Sequence, residues 1–244
     1  MGAGFVLAGL SALLLQLEAR GATNLFQQGM EAYRVGDYAR AVEAFGKEAN
    51  LRPASGTLLN LGNAEWQRGQ TGRAILAWEQ ARWLDPFNAK ARNNLAFARK
   101  TAQLESPRLT WFEVVSTWLP DSAWVWIAAL SLWTAVGLVT LPGILRVPKA
   151  AWHQAAAACG LAFFLLSLPA HLGVHTRSKL GFILEKDTPL RLTPTHEAQS
   201  ITRLGAGEPA RWVRQSRGYV LVRTSRAVGW VELQQLGLIV PLDR

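Results

Sequence analysis

Apolar residues change their spacing several times along the chain, and each change predicts a different kind of element. Residues Ala3 to Leu17, AGFVLAGLSALLLQL, form an uncharged apolar run shorter than a bilayer span. Between Leu25 and Leu104 the apolar positions are interrupted by charges at helical intervals, which predicts packed helices. Ser122 to Leu145 is 24 residues without a formal charge, and Ala150 to His175 is another 26. About 20 apolar residues cross a bilayer as a helix, so both runs predict transmembrane helices. A soluble core helix can imitate one such run, but two in succession are hard to place in a chain of 244 residues. Beyond Arg177 the runs become short and alternating, with turn residues between them. Strands are predicted at Pro189 to Leu192, Ala210 to Gln215, Tyr219 to Thr224 and Gly229 to Leu233, with a short apolar end at Leu238 to Pro241. Ser216, Arg217 and Gly218 predict a hairpin turn.

The helical stretch contains an internal repeat of 33 residues. Gly36 matches Gly69, Ala41 matches Ala74, Phe45 matches Trp78, and Pro53 matches Pro86. A period of this size marks stacked pairs of antiparallel helices. Gly62 and Ala74 allow two helices to approach closely, and Trp78 is expected to fill the gap against the next unit. A third helix, Asn88 to Leu104, carries Ala91, Leu95 and Ala98 on one side with Arg92, Arg99 and Lys100 between them, as a capping helix would.

Composition narrows the function. The chain is 50% hydrophobic and 18% charged, which excludes a disordered polar protein. Its net charge of +9 is spread along the chain with no basic block, so nucleic acid is not an expected partner. A single cysteine, Cys159, excludes an internal disulfide and any cysteine-based zinc cluster. Six of the eleven tryptophans, Trp111, Trp118, Trp124, Trp126, Trp133 and Trp152, crowd around the first span, where most can sit at membrane–water interfaces. No nucleophile near a base, carboxylate pair or cluster of metal ligands has convincing context, so neither catalytic nor metal residues are assigned and no cofactor is expected. His171 and His175, four apart at the end of the second span, are read as interfacial side chains, and Cys159 as a small apolar one. An intramembrane enzyme or metal transporter using His153, His171 and His175 is the weakest of three readings.

The first apolar run resembles the core of a secretory signal with cleavage after Gly21, or an N-terminal anchor, because no Lys or Arg precedes it. Arg146 and Lys149, in the tight loop between the spans, place that loop in the cytoplasm under the positive-inside rule, and both larger domains outside.

NLGNAEWQRGQTGRAILAWEQARWLDP, from Asn60, resembles the tetratricopeptide repeat (TPR) family at Leu61, Gly62, Gly69, Ala74, Trp78, Ala81 and Pro86. That resemblance implies a peptide-binding groove lined by the first helix of each pair, here by Asn63, Trp66 and Gln67 in the second copy and by Arg92 and Asn93 in the third helix. PLRLTP, ITRLGAGEPARWV, GYVLVRT and VGWVEL resemble the bacterial SH3-like family, which implies a five-stranded barrel closed by Gly229, Trp230 and Val231. Trp212, Tyr219 and Trp230 then offer an aromatic ledge for a peptide or a wall stem peptide, although Trp230 more often belongs to such a barrel's core.

The expected organisation is thus a multidomain membrane protein. It has a signal or anchor at 1–21, an all-α TPR domain at 22–105, transmembrane helices at 122–145 and 150–175, and a small all-β SH3-like domain at 178–244. In that order the segments resemble BatE-like proteins of the bacterial aerotolerance (Bat) operon family. The resemblance implies a non-enzymatic adaptor in the bacterial inner membrane, with both domains facing the periplasm. Its partners would be membrane-anchored von Willebrand A-domain proteins and a MoxR-type AAA ATPase. A second reading is an envelope anchor or sensor whose SH3-like domain binds peptidoglycan stem peptides.

Overall fold

The computed structural model describes residues 25–146, 148 and 150–240. The expected signal or anchor, the loop residue Lys149 and the last residues from Pro241 lie outside the described residues. Five helices open the described chain: α1 (25–34), α2 (Tyr38–Leu51), α3 (Ser55–Gln67), α4 (Thr71–Leu84) and α5 (Ala89–Thr101). The turns α1–α2 and α3–α4 each contain a glycine in the left-handed region, Gly36 at φ 81° and Gly69 at φ 74°. A side chain there would be strained, which explains why glycine recurs at the same place in both copies. Close packing recurs too. A Cβ on Gly29 would lie 2.6 Å from the Phe45 ring, and one on Gly62 would lie 2.5 Å from the Trp78 ring. Each aromatic therefore lies on the glycine of its own helix pair, and Trp78 also shares a buried cluster with Ala91 and Leu95 of α5, the next unit. In α5 the Asn88 side chain caps the helix by accepting from the Ala91 N–H at 3.0 Å. Ala91, Leu95 and Ala98 are all buried, as their spacing requires.

After α6 (Trp111–Ser116), the chain enters α7 (Asp121–Ile144) and α8 (Ala151–Arg177). Both long helices are apolar and long enough to cross a membrane. They pair where Gly160 lies against the Ser131 carbonyl and Ala135, a crossing of small residues typical of helices in lipid. Trp133, 72% exposed, lies in mid-helix rather than at an interface, and Trp124 is buried. Helix α6 falls in a stretch where no element was expected. Its N-terminus is tied by the Glu113 carboxylate accepting the Thr110 N–H at 2.8 Å, and it packs on α8 where Gly173 leaves room for the Phe112 carbonyl.

Seven antiparallel strands follow: β1 (Leu180–Ile183), β2 (Thr188–Arg191), β3 (Ser200–Leu204), β4 (Pro209–Ser216), β5 (Tyr219–Arg223), β6 (Val228–Glu232) and β7 (Leu236–Leu238). Their order is β3-β2-β6-β5-β4-β1-β7. Ile183, Leu190, Leu204, Ala210, Val220, Val231 and Leu236, one from each strand, share a single core, so the sheet curls around it. This is two strands more than the expected five, the additions being β1 and β3. The expected turn joins β4 to β5: Ser216 pairs with Tyr219 across Arg217 (φ 48°) and Gly218 (φ 81°), the geometry of a type I′ hairpin.

The helical and β units share a core. Leu180, Phe182 and Ile239 belong to the same buried cluster as Ile75, Trp78, Ala81 and Leu95. Helix α4 supplies the seam: Gly72 lets it meet the Ile183 and Leu184 carbonyls, Leu76 lies against Gly237, and the Gln80 amide donates to the Leu238 carbonyl at 3.1 Å. A second tie joins α6 to β4. Arg211 grips the Glu113 carboxylate with both terminal nitrogens, at 2.7 and 2.8 Å, and also donates to the Arg108 carbonyl at 3.1 Å. Because the chain leaves the helical unit into α7 and returns from α8 into β1, both units sit at the same end of the α7–α8 hairpin.

Candidate protein-binding surface

The seam covers one side of the helical unit and leaves the other free. On the free side, α1, α3 and α5 are linked by polar and aromatic contacts. The Asn60 amide donates to the Met30 sulfur at 3.6 Å, the Asn94 amide donates to the Asn63 carbonyl oxygen at 2.8 Å, and Trp66 meets Phe97 edge-on at 5.8 Å. Met30 and Phe97 nevertheless remain 45% and 59% exposed. This is a row of apolar and amide groups, the mixture that suits an extended or helical peptide.

The residues expected to line the groove fare unequally. The Asn63 oxygen accepts from both Asn94 and the Trp78 indole, the latter at 3.1 Å, so it fixes the packing of α3 against α4 and α5. Trp66 lies between Trp78, at 5.8 Å, and Phe97. Gln67, Arg92 and Asn93 are exposed. Arg92 precedes Phe97 by five positions, about 140° around a helix with 3.6 residues per turn, so it belongs to a different side of α5 from the Asn63–Asn94 and Trp66–Phe97 contacts. The structure thus brings Asn63 to Asn94 rather than to Arg92 or Asn93. Four groups of this face, Met30, Asn60, Asn94 and Phe97, escaped the sequence reading. Their only signal is periodicity: Asn94 and Phe97 are three apart and lie off the Ala91–Leu95–Ala98 stripe.

Beside this face, Glu65 is 6% exposed and lies 3.5 Å from Arg68. Burial pushes its carboxyl up from the ordinary range, and the charges of Arg68 and Arg73 only partly offset that. At the seam Glu113 goes the other way. Burial would raise it, but the Arg211 hydrogen bonds, the Thr110 N–H and the Arg211 charge together hold it below the usual carboxylate range.

The aromatic ledge expected on the β unit divides between two faces. Trp212 pairs with Val222 and packs against the sheet's core, its indole N–H buried without a partner. Trp230 pairs with Leu221, between the core residues Val220 and Val222, and so points away from that core, covered by the Arg214 guanidinium at 5.2 Å. Tyr219 shares this outer side and meets the His196 ring at 5.7 Å. The His196 Nδ1 lies 3.4 Å from Glu232. Tyr219, His196 and Glu232 border a cleft of about 650 Å³, and the Tyr219 hydroxyl is buried there without a partner.

On α8, Cys159 is exposed. Among the described residues no three His, Cys, Asp or Glu side chains converge as metal ligands. No protein-family model matches the chain, and no curated protein matches it significantly.

Proposed function

We propose that this protein is a non-enzymatic, membrane-anchored adaptor, in which the α1–α3–α5 face holds a segment of a partner protein. The observation that carries this reading is the contrast between the two sides of the helical unit. Helix α4 is spent on the seam, while Met30, Asn60, Phe97 and their neighbours stay accessible. On this reading the helix pairs are tetratricopeptide repeats, the curled sheet is an SH3-like domain, and the whole is a BatE-like protein of the bacterial inner membrane with both units in the periplasm. The 33-residue repeat of glycine turns and glycine–aromatic contacts supports the repeat assignment. The shared core of the two units supports their lying on one side of the bilayer. Its partners are membrane-anchored von Willebrand A-domain proteins, with a MoxR-type AAA ATPase acting in the same assembly.

Co-purification of the full chain with such an A-domain protein, using Phe97→Ser combined with Asn94→Ala, tests the reading. Wild type should recover the partner and the double variant should not. Equal recovery by a variant that remains folded would count against this face. Alkaline phosphatase fused within the loop after Ile144, and separately after Arg244, tests orientation: activity at the second site alone is expected.

The Tyr219 cleft favours a second reading, in which the β unit holds peptidoglycan stem peptides. An ammonium group of the peptide would meet Glu232, and a carbonyl would take the Tyr219 hydroxyl. Detergent-solubilised full chain that fails to sediment with isolated cell wall would sink it.

A further inference from the structure

Where the helical unit, α6 and the end of α8 meet, a cavity of about 290 Å³ is lined by Glu79, Arg82, Trp83, Arg99, Thr117 and Arg177, among others. Its charges do not balance. Three guanidinium groups face it against one carboxylate, and that carboxylate, Glu79, is already paired with Arg99. Arg177 is only 8% exposed, and among the described residues no carboxylate oxygen lies within ion-pair distance of it. Its guanidinium carbon lies 4.5 Å above the centre of the Trp83 ring. The indole supports one face of the group and leaves its N–H edge for another partner. The Nε atoms of both Arg177 and Arg82 are buried without a hydrogen bond. Burying a guanidinium in this state is costly, and a tetrahedral oxyanion accepting from two such forks relieves the cost.

The position of the cavity indicates where the anion comes from. Helix α8 has 27 residues, about 40 Å at 1.5 Å per residue, against a hydrocarbon layer of about 30 Å. Arg177, its last residue, therefore falls at the level of the headgroups. Val114 and Thr117 line the same cavity from the α6 side, and the indoles of Trp111 and Trp118 beside them are 67% and 60% exposed, as interfacial tryptophans are. At this size the cavity is at the lower end of small-ligand sites, suited to a headgroup and too small for a folded peptide.

We propose that this cavity binds the phosphate of an anionic phospholipid headgroup, with Arg82 and Arg177 as its ligands and Trp83 as the platform that holds Arg177 flat. The proposal rests on α7 and α8 crossing a bilayer, but not on what the α1–α3–α5 face binds. A bound headgroup would fix how deeply the seam sits against the membrane, and hence how far the partner-binding face stands from it.

The test is native mass spectrometry of the full chain released from nanodiscs holding equal phosphatidylglycerol and phosphatidylcholine. Both lipids carry the phosphate, but the choline ammonium is repelled by the excess positive charge of the cavity, so the unmodified chain should retain phosphatidylglycerol over phosphatidylcholine by about tenfold. Arg82→Gln with Arg177→Gln should bring that ratio close to one. Arg82→Lys with Arg177→Lys, which keeps the charge and loses the fork, should leave an intermediate ratio even if the glutamine variant fails to fold. No preference in the unmodified chain overturns the proposal, as does a preference that survives in the folded glutamine variant. If millimolar inorganic phosphate takes the site and strips the phosphatidylglycerol, the source is free phosphate and the headgroup assignment falls. A chain that never enters the nanodisc fraction overturns the membrane reading and the headgroup assignment with it.

Discussion

The two sides of the helical unit are built from the same repeat, yet one is sealed and the other open. On the sealed side, α4 presents Gly72, Leu76 and Gln80 to β1, β7 and the chain beside them, and its Trp78 lies in the core that both units share. On the open side, α1, α3 and α5 present amides and exposed apolar side chains that contact one another across the helices. The first copy of the repeat shows what the sealing adds. Phe45 fills the space over Gly29 as Trp78 does over Gly62, but Phe45 belongs to a small cluster of α1, α2 and α3 alone. Trp78 also donates its N–H to Leu59 and Asn63, so it orders polar groups of the open face while it closes the sealed one.

The largest effect should follow from removing that residue. Trp78→Ala is expected to destabilise the detergent-solubilised chain by about 3–5 kcal/mol, the range for emptying a buried aromatic site. It should loosen the β unit as well, because Leu180, Phe182 and Ile239 share its cluster. Phe45→Ala should cost a similar amount but leave hydrogen-exchange protection of the strands unchanged. Equal deprotection of the strands by both variants would mean that the two copies are coupled more tightly than their clusters indicate.

Next comes the tie between α6 and β4. Glu113 is 1% exposed and Arg211 mostly covered, so Glu113→Gln should cost about 3 kcal/mol, as expected when one partner of a buried pair is removed. The pH dependence has a definite sign. Glu113 is held below its ordinary value of 4.5, so in the acidic window the unfolded chain binds more protons and stability rises with pH. Its contribution is present above about pH 4.5 and is lost as pH falls toward the depressed value. Glu65, raised by burial, has the opposite sign: its burial weakens the fold as pH climbs above 4.5. Melting temperatures from pH 3 to 7 should therefore show an acid limb that flattens in Glu113→Gln, while Glu65→Gln should raise the neutral end.

How much of this could be read from the sequence depends on how local its causes are. The two long apolar helices and the match of Gly36 to Gly69 were legible because uncharged length and a recurring residue can be read along the chain itself. The strand β1 was not. Leu180 to Ile183 are all buried, with the sheet's core on one side and α4 on the other, so they carry no alternation to detect. The strand β3 is mostly exposed at the edge of the sheet, and nothing in SITRL separates it from a loop. The Glu113–Arg211 pair joins residues 98 apart, with no local mark on either. On the candidate face Arg92 lies on a different side of α5, whereas Asn93, four residues before Phe97, lies about 40° from it, and Asn94 is the residue that meets Asn63. Arg177 was legible only as a charge flanking a span, because its burial depends on Trp83 and on α6, elements remote in sequence.

A smaller effect tests the glycine–aromatic contact itself. In Gly62→Ala the new methyl would lie 2.5 Å from the Trp78 ring, so the pair must open. Overpacking of this kind costs about 1–3 kcal/mol. Gly29→Ala, at 2.6 Å from Phe45, should cost about as much. The difference should appear in the open face, since only the displacement of Trp78 moves the N–H that Asn63 accepts. Gly62→Ala should therefore weaken partner capture more than Gly29→Ala at equal loss of stability. Equal weakening would remove Trp78 as the link between the two sides.

The smallest expected change in stability is on the open face, and it is there that function should respond most. Phe97 is 59% exposed and meets only the edge of Trp66, so Phe97→Ser should alter stability by less than about 0.5 kcal/mol, as exposed substitutions do. Arg92→Ala, also exposed, should be equally silent in stability. In partner binding the two should diverge, because about 140° of helix separates them. Phe97→Ser is expected to lower recovery of the A-domain partner about tenfold, the loss of a partly buried aromatic anchor, while Arg92→Ala leaves it unchanged. The reverse result would move the binding surface around α5 toward Arg92, next to the Arg99–Glu79 pair and the cavity below it. The open face would then be only the solvated side of a scaffold, and the partner would dock beside the membrane.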